Sequence, residues 1–221
     1  MARTEGGRTL RADARRNHEQ LLVAARDVIV ERGAGAPLDE VARRAGVGIG
    51  TLYRRFPSRP ALLRAVVVDA LQRAAQAAEV ALAEETDGFS ALVRYMHAVL
   101  DVRVSAVIPT VLDALDLDDD DIRSAREVSA ALSQRIVDSA HADGSLAADV
   151  TFGDIGTLLV RLSRPLPGSI PPDIDDELAH RHLDLVVEGL RPAPGRRVPG
   201  GPRLERQDLR SFRVPREAGT H

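Results

Sequence analysis

Between Gly48 and Arg59 the chain reads GIGTLYRRFPSR, which sets the hydroxyls of Thr51 and Tyr53 beside the guanidiniums of Arg54 and Arg55, with a third guanidinium at Arg59. None of these groups makes or breaks bonds unaided. They are donors to phosphate oxygens, and a guanidinium can also take O6 and N7 of one guanine, which is worth about 1–3 kcal/mol of discrimination. Gly48, Ile49 and Gly50 stand just ahead of them. Ile49 offers a methyl surface to thymine, and Gly50 lets a backbone approach base edges closely, at about 1 kcal/mol of helix stability relative to alanine.

Other reactive side chains form no comparable constellation. His18, His97, His141, His180, His182 and His221 are scattered, and His180 and His182, two apart on a helix, point to different faces. Asp118 to Asp121 precede a helical stretch, where capping and dipole chemistry account for them better than calcium does. No nucleophile elbow or phosphate loop occurs, and no cysteine, so neither disulfides nor thiolate metal sites can form. The expectation is a chain without catalytic residues, bound metal or cofactor.

The donors between 48 and 59 work only if a helix presents them. Leu38, Val41, Ala42 and Ala45 fall on one face of a short helix, Ala45-Gly46-Val47 makes a bend, and Leu52 with Phe56 gives a second helix its buried side. Ahead of them, Leu21, Leu22, Ala25, Val28 and Ile29 recur at helical spacing in a helix from Ala12 to Arg32, stopped by Gly33. Pro57 ends the second short helix and Ser58 caps a long one, to about Ala83, whose stripe is Leu62, Leu63, Val66, Val67, Ala70 and Leu71. Helical stretches follow at about Phe89–Arg103, near Pro109 (broken there), at Asp120–Ala140, Thr151–Arg164 and Asp173–Arg191. No alternating strand pattern appears, so the fold class is all-α.

Charge divides along the chain. Residues 1–64 carry 13 arginines against 7 acids, residues 65–190 carry 9 against 23, and residues 191–221 carry 8 against 3; all 30 basic residues are arginine. A basic head on an acidic body faces a polyanion with one end only. No run reaches the roughly 18 apolar residues of a membrane span, which reads as a soluble, cytoplasmic chain without a membrane partner.

Two short helices about a glycine bend, then Thr51-Leu52-Tyr53, two arginines, an aromatic and a Pro-Ser break: from Ala12 to Leu71 this closely resembles the tetracycline-repressor (TetR) family of transcriptional regulators. FGDIGTLLVRLSRPLPG, beginning at Phe152, looks like an actinobacterial subgroup. The resemblance implies a helix-turn-helix DNA-binding domain over 12–64 after a flexible basic N-terminus (1–11), then an effector-binding and dimerisation domain over 65–191. Residues 192–221, rich in Pro, Gly and Arg, read as a disordered tail. Gly48, Ile49, Gly50, Thr51, Tyr53, Arg54, Arg55 and Arg59 become the residues on operator DNA, with Arg59 gripping phosphate. Two departures are Ala36-Pro37-Leu38, which lacks the usual capping hydroxyl, and Gly48, where many relatives have serine.

Within the body, Tyr95, Met96, His97, Ile108, Phe152 and Arg161, with Phe89, Val104 and Leu112, are candidate lining of an effector pocket for an unknown small molecule. The stripes Ile155, Leu158, Leu159, Leu162 and Leu178, Leu185, Val186, Leu190 are candidates for a four-helix homodimer seam. The expected function is a repressor released from DNA by its effector. The alternative is a helical small-molecule-binding or catalytic body whose head has lost DNA affinity, against which the intact Thr51-Leu52-Tyr53 and arginine pairs count.

Overall fold

The computed structural model describes residues 3–111, 114–116, 119–168 and 170–204, with side chains from residue 16 onward. Among these residues there are nine α-helices and no strand: α1 (Arg3–Arg32), α2 (Leu38–Arg44), α3 (Ile49–Arg55), α4 (Arg59–Glu84), α5 (Gly88–Val102), α6 (Val104–Val111), α7 (Asp120–Ala142), α8 (Phe152–Leu162) and α9 (Pro172–Val187), followed by a 3-10 turn, Glu188–Leu190. No helix among them is long and apolar enough to cross a membrane. Helix α1 starts at Arg3 rather than at Ala12. Apolar periodicity marks only the part of a helix that packs, whereas backbone hydrogen bonding continues through the polar turns ahead of it.

Capping chemistry sets the other starts. Ser58 Oγ accepts the Ala61 N–H at the head of α4, and Asp119 caps α7 through the N–H groups of Asp121 and Ile122. Thr151 and Asp154 form a reciprocal box on α8. Asp119 and Asp121 also pair with Arg64, so the acidic run is a cap and an ion-pair partner; Asp118 lies outside the described residues.

Helix α4 runs through two cores. Its first half puts Leu62, Leu63, Val66, Val67 and Leu71 against Leu21, Leu22, Ala25, Val28 and Ile29 of α1, with Leu52 and Phe56 closing the head. Its second half carries Ala70, Ala74, Ala78 and Ala81, each at most 1% exposed. These small side chains let the axes of α5 and α7 come close, and Phe89, Leu92, Met96, Leu132 and Ile136 fill the space. Helix α6 joins the cores a second time. It runs through Pro109 without breaking, and its Val107 and Val111 are buried in the head core while Ile108 packs against both.

Only Arg103 separates α5 from α6, and it takes the left-handed conformation (φ 54°), rare for a residue with a Cβ. Its guanidinium grips both carboxylate oxygens of Asp176 on α9, at 2.5 and 2.7 Å. A second tie between α5 and α9 is made by His97 and His180. Their Nδ1 atoms lie 2.7 Å apart, and each Nε2 meets a carboxylate at 3.0 Å, Asp184 for His97 and Asp101 for His180. The rings are parallel to within 4° with centroids 5.0 Å apart. That separation is the N···N distance plus the two ring radii, so the imidazoles meet edge to edge.

Residues 192–204 leave the 3-10 turn as irregular chain fastened to the body. Arg196 pairs with Asp149 and donates to the Gly189 carbonyl, and the Leu204 carbonyl accepts from Thr151 Oγ1 at 3.0 Å. This departs from the disorder expected of the whole tail, because a Pro/Gly-rich segment without a core of its own can still be held by a paired arginine and a capped carbonyl. Residues 205–221 lie outside the described residues.

The start of α5 meets the end of α7 at Gly88. Its N–H donates to Asp143 Oδ2 at 2.7 Å, and a Cβ placed on it would stand 2.3 Å from the Ala140 nitrogen and 2.5 Å from its Cα. Backbone cannot give way as a flexible side chain would. Gly88→Ala is therefore expected to cost about 1–3 kcal/mol, read as a lower denaturation midpoint with unchanged slope.

Candidate nucleic-acid interface

The turn between α2 and α3 is a Schellman motif. Gly46 has φ 68°, its N–H bonds to the Arg43 carbonyl at 3.2 Å, and the Val47 N–H bonds to the Ala42 carbonyl at 3.0 Å. This turn aims α3. Leu52 is fully buried and Phe56 nearly so, whereas Ile49, Tyr53, Arg54 and Arg55 are exposed and Thr51 is half-exposed. The first turn of α3 has Gly48 as N-cap with no side-chain hydroxyl on its N–H groups, and α2 likewise begins at Pro37 without a side-chain cap. A phosphate oxygen could take the open N–H groups of α3, at the positive end of its dipole.

The arginines are not equivalent. Arg54 Nη2 donates to Thr51 Oγ1 at 3.1 Å on the outer face of α3, so hydroxyl and guanidinium form one donor cluster facing solvent. Arg55 turns back toward α1, its Nε donating to His18 Nδ1 at 3.1 Å, while the His18 ring lies 5.4 Å from that of Phe56. Arg59, expected on phosphate, instead holds the α1–α2 turn: its Nη1 donates to the carbonyls of Ala34 and Ala36 at 2.9 and 2.5 Å. The left-handed Gly33 turns those carbonyls away from helical partners, and Arg59 is the donor in reach. Arg44 forms a two-pronged pair with Glu31, which leaves Arg43, with only a 3.8 Å approach to Glu40, as the freer cation of α2.

The other candidates lie apart. Tyr95 and Met96 are buried in the body core, with the Tyr95 hydroxyl 2.7 Å from Ser133 Oγ, and burial raises the Tyr95 pKa above its ordinary value. Phe89 is fully buried beneath the Arg191 guanidinium, 3.7 Å from its ring centre, and Val104 is buried as well. His97 belongs to the α5–α9 tie, Ile108 lies between the cores, Phe152 is partly buried on α8, and Arg161 is exposed. Leu112 lies outside the described residues. Along the expected seam, Ile155 and Leu159 are 3% exposed in the core of the protomer itself, so they form no surface. Leu158, Leu162, Leu178 and Leu190 are partly buried, and Leu185 and Val186 on α9 are 65% and 38% exposed. Spacing alone missed the His97–His180 tie, whose partners lie 83 residues apart.

Comparison with known proteins matches both halves of the chain. Residues 21–66 match the family model described as bacterial regulatory proteins, tetR family, and residues 87–192 match a C-terminal domain described as transcriptional regulator SbtR-like. The crystal structure of the TetR transcriptional regulator SCO0520 from Streptomyces coelicolor is 30% identical with a TM-score of 0.56, over 79% of this chain and 98% of that one. A TetR transcription regulatory protein from Mycobacterium vanbaalenii is 31% identical with a TM-score of 0.59, over 83% and 99%. The HTH-type transcriptional activator FasR of Mycolicibacterium smegmatis is 38% identical over 96 residues, so the match spans 43% of the length of each chain.

Two measurements probe this interface. A Cβ on Gly50 would meet nothing within 4 Å, so Gly50→Ala should stabilise the free protein by about 1 kcal/mol. If Gly50 lies against base edges, the same substitution should weaken DNA binding; unchanged affinity in a gel-shift titration would move the groove contact elsewhere. The second concerns acid. Burial, and then the Arg55 charge, lower the His18 pKa from 6.5, and Nδ1 must be unprotonated to accept from Arg55. The unfolded chain therefore takes up this proton first, so stability is intact above about pH 6.5 and falls as pH drops below it. Denaturant titrations at neutral and mildly acidic pH should show a larger loss for the wild type than for His18→Asn.

Proposed function

The chain belongs to the TetR family of DNA-binding transcriptional regulators, and on that premise we propose that it is a homodimeric repressor whose body binds a small effector and releases operator DNA. The observation that carries this reading is the continuity of α4. After Pro60 it contains neither glycine nor proline to absorb motion, and its two halves are buried in different cores. A shift in the body therefore moves the head as a rod and changes the spacing of two recognition helices. Effector and DNA then bind antagonistically with one coupling factor, typically about 1–3 kcal/mol.

On DNA, Gly48, Ile49, Gly50, Thr51, Tyr53 and Arg54 form the contact face, with Arg54 as base reader and Arg43 on phosphate. Arg55 and Arg59 act by holding α3 and the α1–α2 turn in place. One recognition helix reads only a few base pairs, so a two-fold pair on successive half-sites is the economical reader. The exposed Leu185 and Val186, with Leu158, Leu162, Leu178 and Leu190, are the face offered to a second copy. Repression needs only that the bound dimer occlude a promoter. Activation is the second reading, favoured by the similarity of part of the chain to the transcriptional activator FasR.

Selection of binding sites from a random DNA library, followed by gel-shift titration, tests the proposal. An inverted repeat should emerge. Arg54→Ala should lose about 1–3 kcal/mol on the selected site and relax one base position per half-site, and Leu185→Arg should give a folded monomer in light scattering that no longer shifts it. A full-affinity monomer would overturn the dimer, and failure to select any sequence would overturn operator recognition.

A further inference from the structure

Beside Arg103, two clefts open at the junction of head and body. The larger, about 380 Å³, is lined by Val30 and Glu31 of α1, Arg103, Leu166 and Ile170 of the α8–α9 loop, and Asp175 of α9. The smaller, about 100 Å³, shares Arg103 and Asp175 and continues along Asp101, Asp176 and His180. The larger lies within the size range of small-molecule sites, about 300–1,000 Å³. One wall is apolar, and Leu166 and Ile170 stand 42% and 38% exposed there.

We propose that this cleft is the effector site and that its ligand is an amphipathic organic cation, an alkylammonium in its simplest form; the inference rests on the regulator reading above. The linings of the two clefts together carry the carboxylates of Glu31, Asp101, Asp175 and Asp176 and one guanidinium, Arg103, whose Nη2 is held by both oxygens of Asp176; Glu31 is paired with Arg44 behind the wall. An anionic ligand would meet a guanidinium already paired with Asp176 and, beside it, the carboxylate of Asp175. A cation meets carboxylate oxygens still open: Asp175 uses Oδ1 to accept the Leu166 N–H at 3.2 Å and keeps Oδ2. Asp27 adds a carboxylate next to this lining, close enough to Arg103 to feel its charge. One turn before Glu31 on the same face of α1, it is half-buried and makes no hydrogen bond or ion pair among the described residues. Burial raises its pKa above the ordinary carboxylate range, against the opposing charge of Arg103, as expected of a carboxylate lacking a close partner.

The position couples to the head through α6. Arg103 is the single residue between α5 and α6, and Val107 and Val111, one and two turns further, lie in the head core. An ammonium seated on Asp175 stands beside Asp176, competes with Arg103 for that carboxylate and loosens the grip on Arg103. The start of α6 then moves, and α6 carries that movement to the face of α1 and α4.

Titration calorimetry on the full-length protein without DNA tests the site, using octylammonium, octanoate and octanol, which share one apolar body and differ in charge. Octylammonium should bind at least tenfold more tightly than the other two, and Asp175→Asn and Asp27→Asn should each weaken it by about tenfold. Ile170→Trp, which fills the mouth of the cleft from an exposed position, should abolish binding while leaving the thermal transition in place. Octanoate binding as well as octylammonium, or octylammonium binding unchanged in all three variants, would overturn the inference. Gel-shift titration on a selected operator separates the two readings: a protein that binds operator but not the amine retains the regulator function and loses this site. One that binds the amine but no DNA keeps the site and loses the regulator.

Discussion

Everything in this molecule is arranged around one constraint: α4 must satisfy two cores with one uninterrupted helix. In the head it presents branched side chains, Leu62, Leu63, Val66 and Val67, to a small three-helix cluster that could not bury enough surface unaided. In the body it presents alanines, which give little surface each but allow α5 and α7 to approach until their own large side chains close the gap. Because both halves are buried, neither can rotate without disturbing its own core. Helix α6 strengthens the constraint by lodging two valines in the head core, so head and body share two load paths rather than one.

Polar groups at the junctions hold these elements in register. Arg26, 7% exposed on α1, reaches Asp69 on α4 at 2.6 Å, and Arg73 shares the same carboxylate at 3.0 Å. Glu31 and Arg44 tie α1 to α2, and Arg59 satisfies the carbonyls of the turn between them. Arginine suits these places because a planar fork can meet two acceptors at once. The basic balance of the head is thus partly internal scaffolding, and the charge left over for DNA is smaller than the sequence count.

Much of the fold was legible because it rests on local rules. The bend at Gly46, the cap at Ser58 and the buried faces of α1 to α4 follow from neighbours three or four residues apart. What depends on distant partners was not legible. Periodicity marks Ile155 and Leu159 as apolar, yet cannot tell a protomer core from a seam between protomers, and only the packing of α8 against α5 and α6 assigns them. Arg59 reads as a phosphate ligand until Ala34 and Ala36, more than twenty residues earlier, are seen to offer it carbonyls. The tail from 192 to 204 is poor in apolar residues, but composition says nothing of Asp149 waiting for Arg196.

The edge-to-edge histidines give the molecule a junction that answers to salt differently from its nucleic-acid face. Contacts between guanidiniums and DNA weaken with ionic strength and are indifferent to mild acid, since the guanidinium stays charged throughout. The tie between α5 and α9 behaves the other way. Its closest contact is a short approach between two ring nitrogens on partly buried side chains, which salt screens poorly. Salt would therefore loosen the grip on nucleic acid with α9, and the face it carries, still in place.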